Sequence, residues 1–431
     1  MSLKKVLFIL LIPTIWFGAC TPQVESFFYT QEQFASQVPE SYDGKKTYRM
    51  RKAICRDQAN YIPDTNRMAE FPMRYVRVNF HWMNTTDAAF SLENGKPFDE
   101  KKAIEYTEGF LHACNYDLIK NRKLWLPHNN DIPVLPINYR LVLSGRPDNP
   151  EDDGIYFHYD DELYYYVDRG KNSNQFDRKV FKKYAVQPDT VLNIFVLPHH
   201  PDSVASPTYP VNRVGIALGT YVKVSGIYGK KGSFWDYRGL INHEIGHVFS
   251  LMHTWKYNDG CDDTVRHPGD CYSPNSRPGC DTLTSNNMMD YGYLQHALSP
   301  CQIGKVHKTM SNYTSPKRKL LEPVWCQLKE DSTIVIRDSI DWKCDKDVEG
   351  HIIIEPDAQL TLHCRLAMPS GAKIVVKPGA KLILNDCWLH NDCGEEWQGI
   401  EIQQVRDKKG EVISRGNTII ENVANGGWVS G

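Results

Sequence analysis

The sequence predicts an α+β domain followed by a small all-β domain, on three observations. Residues 191–197 are a nearly all-apolar run among alternating segments, the pattern of a sheet with a covered central strand. Residues 236–249 instead put Leu240, Ile241, Ile245, Val248 and Phe249 at helical spacing on one side, so one helix is buried. Beyond residue 316, short apolar runs alternate with turns, and the pattern from Ile352 to Leu362 recurs from Ile374 to Leu384, 22 residues on. At 431 residues, 41% hydrophobic and 24% charged, the chain has globular composition and room for two or three domains.

The N-terminus reads as an address. Lys4-Lys5, an apolar run over residues 6–17 and then Phe17-Gly18-Ala19-Cys20 form an export signal. The run falls short of the roughly 20 residues a mature spanning helix needs. Phe17-Gly18-Ala19-Cys20 resembles a bacterial lipobox. Residues 1–19 are therefore expected as a lipoprotein signal peptide, with Cys20 lipidated and the protein anchored to membrane in the bacterial cell envelope, at the outer membrane and outside the cytoplasm. The alternative is a plain secretory signal with an incidental cysteine. Residues 20–70 begin polar and are expected as a tether and pro-segment with little to bury.

The α+β domain is expected over residues 71–320. Residues 74–82 alternate Tyr75, Arg77 and Asn79 against Val76, Val78 and Phe80, a strand; residues 99–121 read as a helix capped by Asp99. Residues 139–143 and 191–197 are further strands. Residues 211–224 form one long alternating segment in which Gly215 and Gly219 suit an edge strand near a binding cleft. From residue 254 to 286 the chain is rich in Gly, Pro, Asp, Ser and Cys, predicting irregular structure held by disulfides, and a helix returns over residues 300–312. Residues 321–431 form the β-rich repeat domain. Two short strands per repeat with Pro-Asp or Pro-Gly at the corner resemble a β-solenoid; a small β-sandwich is the alternative.

A net charge of −2 and the lack of a basic stripe argue against nucleic acid as a partner. Twelve cysteines less Cys20 leave eleven, so at least one is outside any intrachain disulfide.

The chemistry concentrates in His243-Glu244-Ile245-Gly246-His247-Val248-Phe249-Ser250-Leu251-Met252-His253. A helix turns about 100° per residue, so His243 and His247 share a face and can grip one ion. Glu244 points away from that pair yet stays within reach of a metal-bound water. His253 shares the site only if the helix ends near Ser250 and the chain reverses. Buried histidines and a glutamate without a metal would cost several kcal/mol, and zinc suits three neutral imidazoles.

This segment resembles the metzincin signature HExxHxxGxxH, and the residues after it are similar to the pappalysin family. The supporting residues are Gly260-Cys261-Asp262-Asp263-Thr264, Gly279-Cys280-Asp281-Thr282, the Met-turn-like Asn287-Met288-Met289-Asp290-Tyr291, and the stretch from Leu298 to Val306. The resemblance is strong over residues 236–310 and loose over residues 74–225. It implies a metzincin-like fold, with a twisted mixed sheet, an active-site helix and an irregular disulfide-bonded lower subdomain. It implies zinc held by His243, His247 and His253, Glu244 as general base and later proton donor, Met289 as an apolar floor, and Tyr291 contacting the metal or the tetrahedral intermediate. The expected activity is zinc-dependent endopeptidase cleavage of extracytoplasmic proteins or peptides.

Ser250 departs from the family's glycine at a position of positive φ, at a cost of about 1 kcal/mol. The resemblance implies the disulfides Cys261–Cys280 and Cys271–Cys301, whereas the sequence alone allows three connectivities. Cys55 is either a latency thiol on the zinc or a structural bridge, to Cys114 or between domains. Asp262, Asp263, Asp270 and Asp281 are candidate calcium ligands or simple turn residues. The competing function is surface adhesion or glycan binding, with Trp388, Trp397 and Trp428 as the platform or, alternatively, as packing residues.

Overall fold

The computed structural model describes residues 23–37, 53–229, 233–255, 258–267, 269–292 and 294–428. The expected signal and Cys20 lie outside the described residues. The chain is mixed α+β, with several sheets and few helices. Among the described residues no helix is long and apolar enough to cross a membrane.

The first sheet is built around strand Arg74–Asn84. Tyr139–Leu143 and Ile155–Tyr159 pair with successive parts of one edge of it, and Leu192–Leu197 pairs with the other, all parallel. Leu192–Leu197 is buried throughout because Tyr221–Ser225 continues the sheet beyond it, also parallel. The long strand expected over residues 211–224 is a hairpin instead. Gly219 takes φ +81° between Val214–Ala217 and Tyr221–Ser225, which pair antiparallel, and only Val214–Ala217 forms the edge.

Helix Glu100–Lys120 begins where the Asp99 carboxylate accepts the Lys101 and Lys102 N–H groups. Its buried residues Ala103, Thr107, Phe110, Cys114 and Leu118 recur at helical spacing. They meet the sheet where Trp82 donates to the Thr107 hydroxyl (2.9 Å) and Phe80 stacks on Phe110. A second helix, Arg238–Val248, lies alongside, tied by the Asn242 amide donating to the Cys114 carbonyl (3.1 Å). Both helices share one core with the sheet, and each fully buried aliphatic or aromatic side chain there contributes about 1.5–3 kcal/mol.

From Ile334 onward the chain lays short strands into three parallel sheets. Ile334–Ile336, Ile352–Ile354, Lys373–Val376 and Gly399–Val405 stack in one. Ser339–Trp342, Gln359–Leu362, Lys381–Asn385 and Glu411–Arg415 form the second, and Lys346–Asp347, Arg365–Ala367, Trp388–His390 and Ile419–Ile420 the third. The 22-residue offset is a spatial register: Ile352 sits beside Ile374 and Leu360 beside Leu382. At the repeated corner Asp357 and Gly379 both take positive φ (64° and 84°), which Asp tolerates better than most residues and Gly adopts freely.

Residues 23–37, within the stretch expected as tether, pack on the stacked strands instead. Glu25–Phe28 pairs antiparallel with the last strand of the first stack, Phe27 beside Ile402. Thr30 and Gln33 then close a capping box, and Tyr29 and Phe34 are buried against that stack's core. Charge and sulfur tie the stacked strands to the chain that precedes them. Arg318 and Arg365 converge on the Asp347 carboxylate (2.5 Å each), Arg318 also meets Asp392 (2.6 Å), and Arg74 meets Glu349 (2.8 Å). Burial alone would raise the Asp347 pKa, yet the three guanidiniums outweigh it and hold the carboxyl well below the usual range. Cys55–Cys364 joins the same two parts of the chain, whereas Cys326–Cys393 closes a loop within residues 321–431. Cys55 is thus a structural bridge to Cys364 in the stacked strands, neither a latency thiol nor a partner of Cys114, whose thiol is buried and outside any disulfide.

Candidate metal centre

Helix Arg238–Val248 carries His243 and His247 one turn apart, and Gly246 between them is a packing requirement. A Cβ there would lie 2.4 Å from the Met289 Sδ, so the helix rests directly on the fully buried methionine. The helix stops at Phe249. Ser250 takes φ 73°, and Leu251 donates its N–H back to the Gly246 carbonyl (2.9 Å), reversing the chain so that His253 returns to the same face.

The three imidazoles meet at their Nε2 atoms: His243 to His247 3.1 Å, His243 to His253 3.1 Å, His247 to His253 3.0 Å. Two ligand atoms on one tetrahedral zinc stand about 3.3 Å apart, so the triangle fits that ion. His243 donates from Nδ1 to the Met288 carbonyl and His247 from Nδ1 to the Leu251 carbonyl (2.9 Å each), which leaves both Nε2 lone pairs facing inward. Burial, reinforced by the two neighbouring imidazoles, pushes the His243 pKa well below the ordinary value, and burial lowers His247 as well. Neutral rings are what a metal requires.

Glu244 is buried, and burial raises its carboxyl to about 8. It leans against the edge strand: its Cγ and Oε1 approach Gly215, and it accepts the Ala217 backbone N–H. Tyr291 stands at the opening, 44% exposed, its ring 4.8 Å from His253 and 5.9 Å from His243. Burial and then the Glu244 charge raise its phenol pKa, so it remains a hydrogen-bond donor. Trp255 stacks on His253 (5.3 Å) and meets Tyr291 (5.0 Å).

Sequence reasoning missed the residues behind this shell. His267, inside the cysteine-rich stretch, meets Asp290 at 2.5 Å, and the other Asp290 oxygen accepts the Tyr291 N–H (2.6 Å), fixing the turn that carries Met289 and Tyr291. Lys317, far along the chain, reaches the Ser250 hydroxyl. Neither has a motif; both are found only when the chain is folded.

Three expectations are corrected. The disulfides are Cys261–Cys301 and Cys271–Cys280, not the implied pairing. The Asp263 carboxylate accepts the Ser299 hydroxyl (2.6 Å) and the Cys301 N–H (2.9 Å), which draws Cys261 to the start of helix Pro300–Ser311, while Asp270 and Arg277 close the short loop between Cys271 and Cys280. The four aspartates do not gather: Asp263 and Asp270 are engaged in this way, Asp262 and Asp281 face solvent, and among the described residues no three of them come within ligand distance of one another. The three tryptophans form no platform. Trp397 is fully buried, Trp428 packs on Phe34, and Trp388 donates to Glu421 (3.1 Å).

No family model and no curated protein matches the chain. Among solved structures it is similar to Tannerella forsythia mature mirolysin in complex with a cleaved peptide, at 18% identity and TM-score 0.40 over 57% of this chain and 95% of that one. A mutant of Tannerella forsythia promirolysin gives 18% and 0.41 over 60% and 85%, and mirolysin in complex with a compound gives 17% and 0.40 over 58% and 96%.

Proposed function

We propose that this chain is a zinc-dependent endopeptidase of the pappalysin-like metzincin type, acting on proteins or peptides outside the cytoplasm. The observation that carries the reading is the triangle of Nε2 atoms 3.0–3.1 Å apart, with one buried carboxylate on the same helix. Zinc, when bound, supplies a Lewis acid and an acidified water. His243, His247 and His253 would hold it, the rings of His243 and His247 being oriented by the Met288 and Leu251 carbonyls.

Glu244 takes up a proton on its carboxylate and returns it to the leaving amine nitrogen. Its burial favours the protonated acid between those two events. Tyr291 keeps its phenolic proton and can donate it as a hydrogen bond at the mouth of the site. Val214–Ala217 is the last strand of its sheet, and its outer edge offers main-chain hydrogen bonds to an extended peptide.

In the same reading residues 1–19 are a lipoprotein signal, Cys20 carries the anchor, and the C-terminal stack is a β-solenoid. Three parallel ladders of in-register strands support the last point.

Metal analysis of the purified protein, paired with cleavage of a diverse peptide library with and without chelator, tests the reading. About one zinc per chain and chelator-sensitive cleavage are expected. A metal-free protein, or cleavage indifferent to chelator, overturns it.

A further inference from the structure

Gly215 lies in the edge strand Val214–Ala217, where nothing in the backbone demands glycine, since its φ is outside the positive region. A glycine inside a strand forgoes a side chain and loosens the chain, so its presence signals a close approach. The approach here is specific. A Cβ built on Gly215 would meet Glu244 Cγ at 2.8 Å, Oε1 at 2.8 Å and Cδ at 3.0 Å, and these three atoms are its nearest neighbours. Ala217, two residues on and facing the same way, donates its backbone N–H to the same carboxylate.

We infer that Gly215 is a positioning residue for Glu244: the strand leaves a slot one methyl group deep, and the carboxylate lies in it with the Ala217 N–H fixing its direction. The inference rests on the peptidase reading for its meaning but not for its geometry. A methyl group at 215 does not strain the strand; it collides with the movable end of one side chain. Gly215→Ala therefore folds, binds zinc, and holds Glu244 away from the reacting atoms.

The test is Gly215→Ala in the full, zinc-loaded chain, alone and combined with Glu244→Ala. Expected are one zinc per chain, kcat down at least tenfold, and KM within twofold, because the group displaced acts on the reaction and not on substrate binding. Melting temperature gives a readout that needs no activity: Gly215→Ala lowers it in the wild-type background and leaves it unchanged or higher in Glu244→Ala, where the crowded side chain is gone. Equal melting shifts in both backgrounds overturn the inference, as does an unchanged kcat. If the parent protein cleaves nothing, the peptidase reading falls, and the melting cycle alone still decides whether Gly215 positions Glu244.

Discussion

Lys317 donates from its ammonium to the hydroxyl of Ser250 at 3.2 Å, across the turn that brings His253 back to His243 and His247. The serine holds φ 73° without the freedom of glycine. Its strain of about 1 kcal/mol is set against one partly exposed hydrogen bond, near the low end of about 0.5–1.5 kcal/mol. Ser250→Gly is therefore expected to be neutral or to stabilise by up to about 1 kcal/mol, and Lys317→Ala to destabilise by less than about 1 kcal/mol. Denaturant titration of the zinc-loaded protein reads both; a loss above about 1 kcal/mol in Ser250→Gly would make the lysine contact the dominant force in the turn.

Glu244 and His253 separate chemistry from assembly. Glu244→Ala is expected to keep zinc and lose cleavage by at least about a thousandfold, whereas His253→Ala loses tight zinc binding and with it the metal's stabilisation. Zinc stoichiometry and melting with and without chelator distinguish them. Comparable turnover in Glu244→Ala would remove this residue from the mechanism.

Peptide mapping under non-reducing conditions should recover Cys55–Cys364, Cys261–Cys301, Cys271–Cys280 and Cys326–Cys393, with Cys114, Cys344 and Cys387 unmodified until unfolding. Replacing both Cys55 and Cys364 by alanine is expected to cost about 2–4 kcal/mol, since the bridge closes a loop of most of the chain. Recovery of a Cys261–Cys280 peptide would refute the assignment.

Acid should destabilise the protein before its carboxylates titrate. Burial holds His81 and His390 near pKa 3 and His158 and His307 near 4, against an ordinary value of 6.5. Between those limits the unfolded chain takes up protons that the folded one refuses, so stability is full above about pH 6.5 and falls as pH drops toward about 4. Melting of the chelator-treated protein across this range reads the effect without the metal ligands' zinc linkage. A flat profile from neutral to mildly acidic pH would mean these rings protonate in place.

The parts legible in the sequence are those whose signal is local. Helical spacing around His243 and His247, the Asp99 cap, the apolar run ending at Leu197 and the repeat starting at Ile352 all act over short stretches, and all appear in the structure as elements. What escaped depends on separation through space. Gly219 splits a uniform alternation into a hairpin because one left-handed residue outweighs the pattern. Cysteine partners were hidden because Asp263 decides which cysteine reaches Cys301. The strand Glu25–Phe28 is only four residues with no alternation of its own, and it becomes a strand because an edge is there to receive it.

That strand also fixes an order of events. Phe27 lies beside Ile402, and the Gln37 side chain reaches the Val412 carbonyl across 375 positions. A segment synthesised early thus waits for its neighbour until the last strand of the first stack exists, and the exposed edge of Gly399–Val405 stays open until the two meet. Chains cut short before that strand retain a sticky segment with nowhere to dock, so pairing of Phe27 with Ile402 is a mark that no such truncated chain can carry.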